Sequence, residues 1–122
     1  MTTLRISVFL ALLVGLSPGC GSSPQPVDAS KAKQSLIAAL DAWKRGDRPE
    51  SLKPVVVQDM DWMNGAKLVA YELAGNAKED TLILRCPVKL KLVGADGKES
   101  ERTVTYIVGT SPVTTVFREF SM

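Results

Sequence analysis

Residues 82 to 92 give the cleanest alternation in the chain, and it constrains the fold more than any other feature. Leu82, Leu84, Cys86, Val88, Leu90 and Leu92 fall on one side. Ile83, Arg85, Pro87, Lys89 and Lys91 fall on the other. A period of two with one apolar side is a strand buried on one face only. Such a strand needs antiparallel neighbours and something to cover its apolar face.

The cover is upstream. Residues 28 to 45 carry Ala29, Ala32, Leu36, Ile37, Leu40 and Trp43 at helical spacing, with Lys31, Gln34, Asp41, Lys44 and Arg45 mostly opposite. Asp28 or Ser30 suits the N-cap, and Gly46 suits the left-handed position past the end. Trp43 reads as a core anchor. Pro49 to Leu52 reads as one short turn with Pro49 first. From Pro54 the period changes to two. Val55 to Val57 begins a strand, and Lys67 to Ala74 forms another, joined to it through an expected hairpin at Asn64-Gly65. Residues 103 to 110 and 113 to 120 add two more strands. The Gly94 to Glu99 turn needs one residue beyond a two-residue loop, supplied by a left-handed Gly97. That arrangement pairs Leu90 with Val104, Val88 with Tyr106 and Cys86 with Val108. Pro87 lacks a donor and points to an edge or a bulge. The last strand is apolar on both faces, Val113 and Phe117 against Val116 and Phe120.

The expected fold class is therefore α+β. One N-terminal amphipathic helix packs on an antiparallel meander sheet of four or five strands. This order is similar to cystatin-like folds, including compact NTF2-like relatives, over about residues 28 to 120. The inhibitory loop of cystatins and the catalytic His or acid–base pair of NTF2-like enzymes have no counterpart here.

The chain has 122 residues, room for one ordinary domain. It contains no histidine and two cysteines. Ser-His-Asp and Cys-His catalysis, His-based zinc sites and a disulfide framework are thereby excluded. Fifteen basic and 13 acidic residues give a net charge of +2, too balanced for nucleic-acid binding by bulk electrostatics.

The amino terminus reads as an address. Arg5 precedes an apolar run from Ile6 to Leu16, too short to span a bilayer as a helix. Ser17, Pro18, Gly19 and Cys20 follow. These residues resemble a bacterial lipoprotein signal peptide, although Ser17 stands where that family most often has Leu. The resemblance implies cleavage after Gly19 and lipidation of Cys20. It places the protein at the cell membrane or outer membrane, facing the periplasm or exterior. Ser17-Pro18-Gly19 also satisfies a small-x-small cleavage rule, so plain secretion remains the alternative. Residues 20 to 27 read as a flexible tether and 28 to 122 as the single domain. Loss of residues 1 to 19 removes Arg5 and leaves a net charge of +1. A chain so nearly neutral has no electrostatic hold on anionic lipid.

Few residues carry chemistry. Asp59 to Gly65 lacks two ligands of a calcium loop, because Met63 and Tyr71 stand where oxygen donors belong. A hairpin with solvated carboxylates is expected instead. Arg85, Lys89 and Lys91 form a basic row without interleaved aromatics, suited to guarding a sheet face. Cys86 has no activating histidine and is expected to be buried and inert. Tyr71 or Tyr106 beside Asp59 or Asp61 is the least that proton transfer would need. Trp62, Tyr71 and Tyr106 are candidates to line a pocket. The expected function is a non-enzymatic, lipid-anchored envelope protein with a small interaction or ligand-binding domain, without cofactor or metal. The alternatives are an NTF2-like small-molecule binding or isomerase-like domain, and a secreted subunit that pairs with a partner through its last strand.

Overall fold

The computed structural model describes residues 25–120. The expected export signal, with Gly19 and Cys20, lies outside the described residues. Helix α1 runs Ala29–Arg45. Asp28 caps it by accepting from the Lys31 N–H at 3.1 Å. Gly46 adopts φ +88°, and the N–H groups of Gly46 and Asp47 close on the carbonyls of Trp43 and Ala42. That is a Schellman end, and both caps lie where local sequence places them. Ala32, Leu36, Ala39, Leu40, Ala42 and Trp43 are buried on the sheet side. Ile37 is only half buried. Pro49–Leu52 forms the expected single 3-10 turn.

The strands are β1 (Val56–Gln58), β2 (Lys67–Leu73), β3 (Lys78–Glu79), β4 (Leu84–Val93), β5 (Glu99–Gly109) and β6 (Thr115–Arg118). A one-turn helix α2, Met60–Met63, separates β1 from β2. The sheet order is β1-β6-β5-β4-β2, with β3 also on β4. The sheet is mixed and has six strands, not an antiparallel meander, because β1 pairs in parallel with β6. Local pattern carries no information about that long-range pairing. The expected Asn64-Gly65 hairpin does not form. Asp59 instead caps α2, Asn64 ends it, and β1 and β2 lie at opposite edges of the sheet.

On β4 the alternation holds from Leu84 onward. Leu84, Cys86, Val88, Leu90 and Leu92 are all buried, while Leu82 lies before the strand and is exposed. The β4–β5 loop uses left-handed Gly97 as expected. The ladder, however, pairs Cys86 with Tyr106, Val88 with Val104 and Leu90 with Arg102. This is displaced by two residues from the expected register. A displacement of two keeps every side chain on its face, so burial patterning cannot distinguish the two registers.

Strand β2 carries a bulge at Val69, between the pairs Leu68–Leu92 and Ala70–Lys91. The extra residue puts Leu68, Tyr71 and Leu73 on the core side although their spacing is uneven. Pro87 is interior rather than at an edge. The Ala74 N–H donates to the Pro87 carbonyl, so the missing Pro87 N–H faces the same neighbour. There β2 ends and β3 begins, and no ladder bond is lost. Strand β6 is also interior, flanked by β5 and β1. Val116 enters the core, Phe117 is half buried, and Val113 and Phe120 lie outside the strand and exposed.

Among the described residues no helix is long and apolar enough to cross a membrane. Val27 is buried, and the N–H groups of Gln25, Val27 and Asp28 bond to Ser111, Thr81 and Thr110. The segment expected to be a free tether is thus docked from Gln25 on.

Candidate functional site

Asp59 leaves β1 in extended conformation and is 2% exposed, the one buried charged residue among those described. Its Oδ1 accepts the N–H groups of Asp61 at 2.9 Å and Trp62 at 3.2 Å, which fastens the first turn of α2. Arg118 Nη1 reaches the same oxygen at 3.1 Å. The hydroxyl of Tyr106 donates to Oδ2. Arg118 Nη1 also donates to Asp61 Oδ2, and Arg102 Nη1 stands 3.5 Å from that oxygen. The ladder places Tyr106 opposite Arg118, and the period of two puts Arg102 on the same face. Two carboxylates and two guanidiniums therefore meet around one phenol, beside the end of the core.

The electrostatics follow from this packing. Burial, and then the Asp59 carboxylate, push the Tyr106 hydroxyl far above the usual tyrosine range. Burial works against the charge on Arg118, but its bond to Asp61 and the nearness of both carboxylates outweigh that, and its pKa lies above the ordinary value. Asp59 accepts four hydrogen bonds and is closed to solvent. Its oxygens are committed to these bonds, although Asp59 also borders a neighbouring cleft. The cluster is built to hold β1, α2, β5 and β6 together.

A cleft of about 670 Å³ opens beside the cluster, lined among others by Met60, Met63, Arg102, Val104, Arg118 and Phe120. Met60, Met63 and Phe120 are 54%, 64% and 74% exposed. Arg118 makes its bonds through Nη1, and no acceptor among the described residues takes its Nε or Nη2. The cleft thus offers apolar side chains, a guanidinium with unspent donors and the acidic residues Asp59, Asp61 and Glu119.

The three aromatic residues expected to line one pocket are not brought together. Trp62 is buried and stacks on Trp43, with ring centroids 5.4 Å apart and planes 8° from parallel. Its indole N–H donates to the Asp47 carbonyl, and that of Trp43 to the Ala66 carbonyl. The stack pins α2 to the end of α1 and borders a second cleft of about 660 Å³. Tyr71 donates to Asp41 Oδ1 of α1 at 2.7 Å, with Lys44 Nζ 5.9 Å from its ring centre. Burial and this bond raise its pKa to about 12. Only Tyr106 joins the acidic pair, where Trp62 contributes a backbone N–H.

Asp59 and Asp61 are not the solvated carboxylates of a hairpin; both are spent on arginine. Among the described residues no three His, Cys, Asp or Glu side chains are grouped to hold a metal ion. The basic row is matched by neighbouring acids. Arg85 pairs with Glu119, Lys89 Nζ lies 3.3 Å from Glu101 Oε1, and Lys91 stands opposite Glu101. The two ion pairs, of Arg85 and of Lys89, contribute about 0–1 kcal/mol each. Cys86 is buried, and its desolvated thiol sits above the usual range despite the nearby charge of Lys33.

Arg118 and Arg102 carry a signal in the sequence. Arg118 is in phase with Val116, and Arg102 with Val104 and Tyr106. A cation in phase with core residues signals a partner on that face. No family model, no curated protein and no solved structure matches the chain.

Proposed function

We propose that the chain is an exported, lipid-anchored, non-enzymatic envelope protein whose domain binds a partner or ligand at the cleft between α2, β5 and β6. The anchor is Cys20, after cleavage at Gly19. The observation that carries the binding reading is the exposed set Met60, Met63 and Phe120 around Arg118. Large apolar side chains gathered on a surface around a polar group mark an interaction site. The non-enzymatic reading is supported by Asp59 and Tyr106, the best-placed acid–base pair, which are bonded to each other and buried.

A small-molecule ligand is the second reading, favoured by the cleft volume, which falls within the range of about 300–1,000 Å³ common for such sites. Pairing through the last strand is not proposed, because both edges of β6 are occupied.

The test compares the native protein with a Met63→Asp/Phe120→Asp variant. Both are captured from detergent-solubilised envelope and read by mass spectrometry, including the mass of the amino-terminal peptide. A partner at equal stoichiometry that the variant loses supports the reading. A partner retained by the variant moves the site elsewhere, and an unlipidated Cys20 removes the anchor.

A further inference from the structure

Apart from Val69, the exposed large hydrophobic residues of the described chain fall beside the two ends of β6. Met60, Met63 and Phe120 ring the cleft, where β6 ends. Leu82, Val113 and Val56 are 45%, 48% and 43% exposed and lie where β6 begins. Their proximity is fixed by the backbone. The Val56 N–H donates to the Thr114 carbonyl, Val56 pairs with Thr115, and Thr115 pairs with Gly109. A Cβ on Gly109 would stand 3.6 Å from the Leu82 carbonyl oxygen.

The chain enters the domain at this same end. Gln25 N–H donates to Ser111 Oγ at 3.1 Å, Asp28 N–H to Thr110 Oγ1 at 3.0 Å, and Val27 N–H to the Thr81 carbonyl at 3.0 Å. The incoming segment is fastened to the two loops that carry Leu82 and Val113. Only four residues separate Cys20 from Gln25, and the five Cα–Cα steps between them span at most about 18 Å. A folded domain is about 30 Å across, so no folded partner fits between this end and whatever holds Cys20.

We propose that the end bearing Leu82, Val113 and Val56 rests on a lipid surface, with these side chains in the headgroup layer and the cleft turned away from the membrane. This rests on the reading of Cys20 as the lipid attachment. The near-neutral charge of the chain leaves apolar contact as the means of holding this end down. Three half-exposed side chains bury too little to bind a bilayer alone, so the contact forms only when the anchor brings the domain to the surface. Its consequence is orientation: a partner meets the cleft from the aqueous side.

The test links the mature chain, beginning at Cys20, through the Cys20 thiol to a maleimide lipid in phosphatidylcholine vesicles. Buried Cys86 does not compete. Backbone hydrogen exchange is read by mass spectrometry against the same chain free in solution. Slower exchange confined to residues 80–83 and 110–114, and lost in Leu82→Asp/Val113→Asp, is the expected result. Slowing at residues 60–64 and 118–120, slowing nowhere, or slowing that survives in the double variant overturns the inference. The mass of the amino-terminal peptide from envelope-purified protein separates the two readings. An unmodified Cys20 overturns the anchor and this inference with it. A lipidated Cys20 without slowing at the two loops overturns the inference alone.

Discussion

Replacing Asp59 with alanine tests whether the buried cluster is what fastens α2 to β5 and β6. The variant removes two bonds to the N–H groups of Asp61 and Trp62, a cap costing about 1 kcal/mol to lose. It strands the Tyr106 hydroxyl, 1% exposed, at about 1–3 kcal/mol. Arg118 keeps Asp61, so its share is smaller than that of a fully orphaned buried charge. The expected loss is roughly 3–5 kcal/mol, a large part of the ~5–15 kcal/mol that holds a domain folded. In a domain of this size it lowers Tm by roughly 15–30 °C. Urea unfolding followed by tryptophan fluorescence reads it, since Trp62 sits on the turn that Asp59 caps. Asp59→Asn keeps a capping oxygen and is expected to lose less than Asp59→Ala. In a double-mutant cycle with Tyr106→Phe, the two sites should couple by about 1–2 kcal/mol. A loss under about 1 kcal/mol in Asp59→Ala, or strictly additive effects with Tyr106→Phe, would refute the argument.

Three other outcomes follow from the same packing. Trp43→Ala empties one side of the indole stack and should cost about 3–5 kcal/mol in urea unfolding; a loss near that of a surface substitution would show that the stack carries little. Gly97→Ala meets no atom within 4 Å, so its cost is the left-handed backbone alone, about 1 kcal/mol in a thermal melt, and a stabilised variant would contradict the bulge geometry. Tyr71 holds its proton more tightly in the fold than the ordinary phenol, about 12 against 10.0. Its contribution is therefore full below pH 10 and lost as pH rises from 10 to 12. The stability difference between the native chain and Tyr71→Phe should shrink across that window, and a difference independent of pH would argue against the Asp41 bond.

Most of what was legible in the sequence is local. Asp28 and Gly46 bound α1 because capping uses neighbours three to five residues away. The β4 alternation exposed its core face, because side-chain direction in a strand depends on parity alone. Left-handed Gly97 was legible for the same reason, as turn chemistry is contained in the turn. Of the site, the Asp59 and Tyr106 residues stood out as chemistry-bearing types. Asp59 as a cap was available too, with Asp61 in the first turn after it, but Asn64-Gly65 competed as a hairpin signal and the tertiary contacts decided the outcome.

What only the tertiary structure decided depends on contacts distant in sequence. Strand β1 chose β6, 59 residues on at the Val56–Thr115 pair, and that parallel choice turned a meander into a mixed sheet. The register of β4 on β5 slid by two residues, a shift invisible to any pattern of period two. The bulge at Val69 reset which residues of β2 face inward. Arg118 met Asp59 only because β1 and β6 end side by side. Trp62 found Trp43 instead of Tyr71 and Tyr106, because stacking satisfied both rings and left their N–H groups within reach of carbonyls. Local sequence sets the periodicity and caps of each element, whereas the pairing of elements is settled by how their buried faces and buried charges are satisfied together.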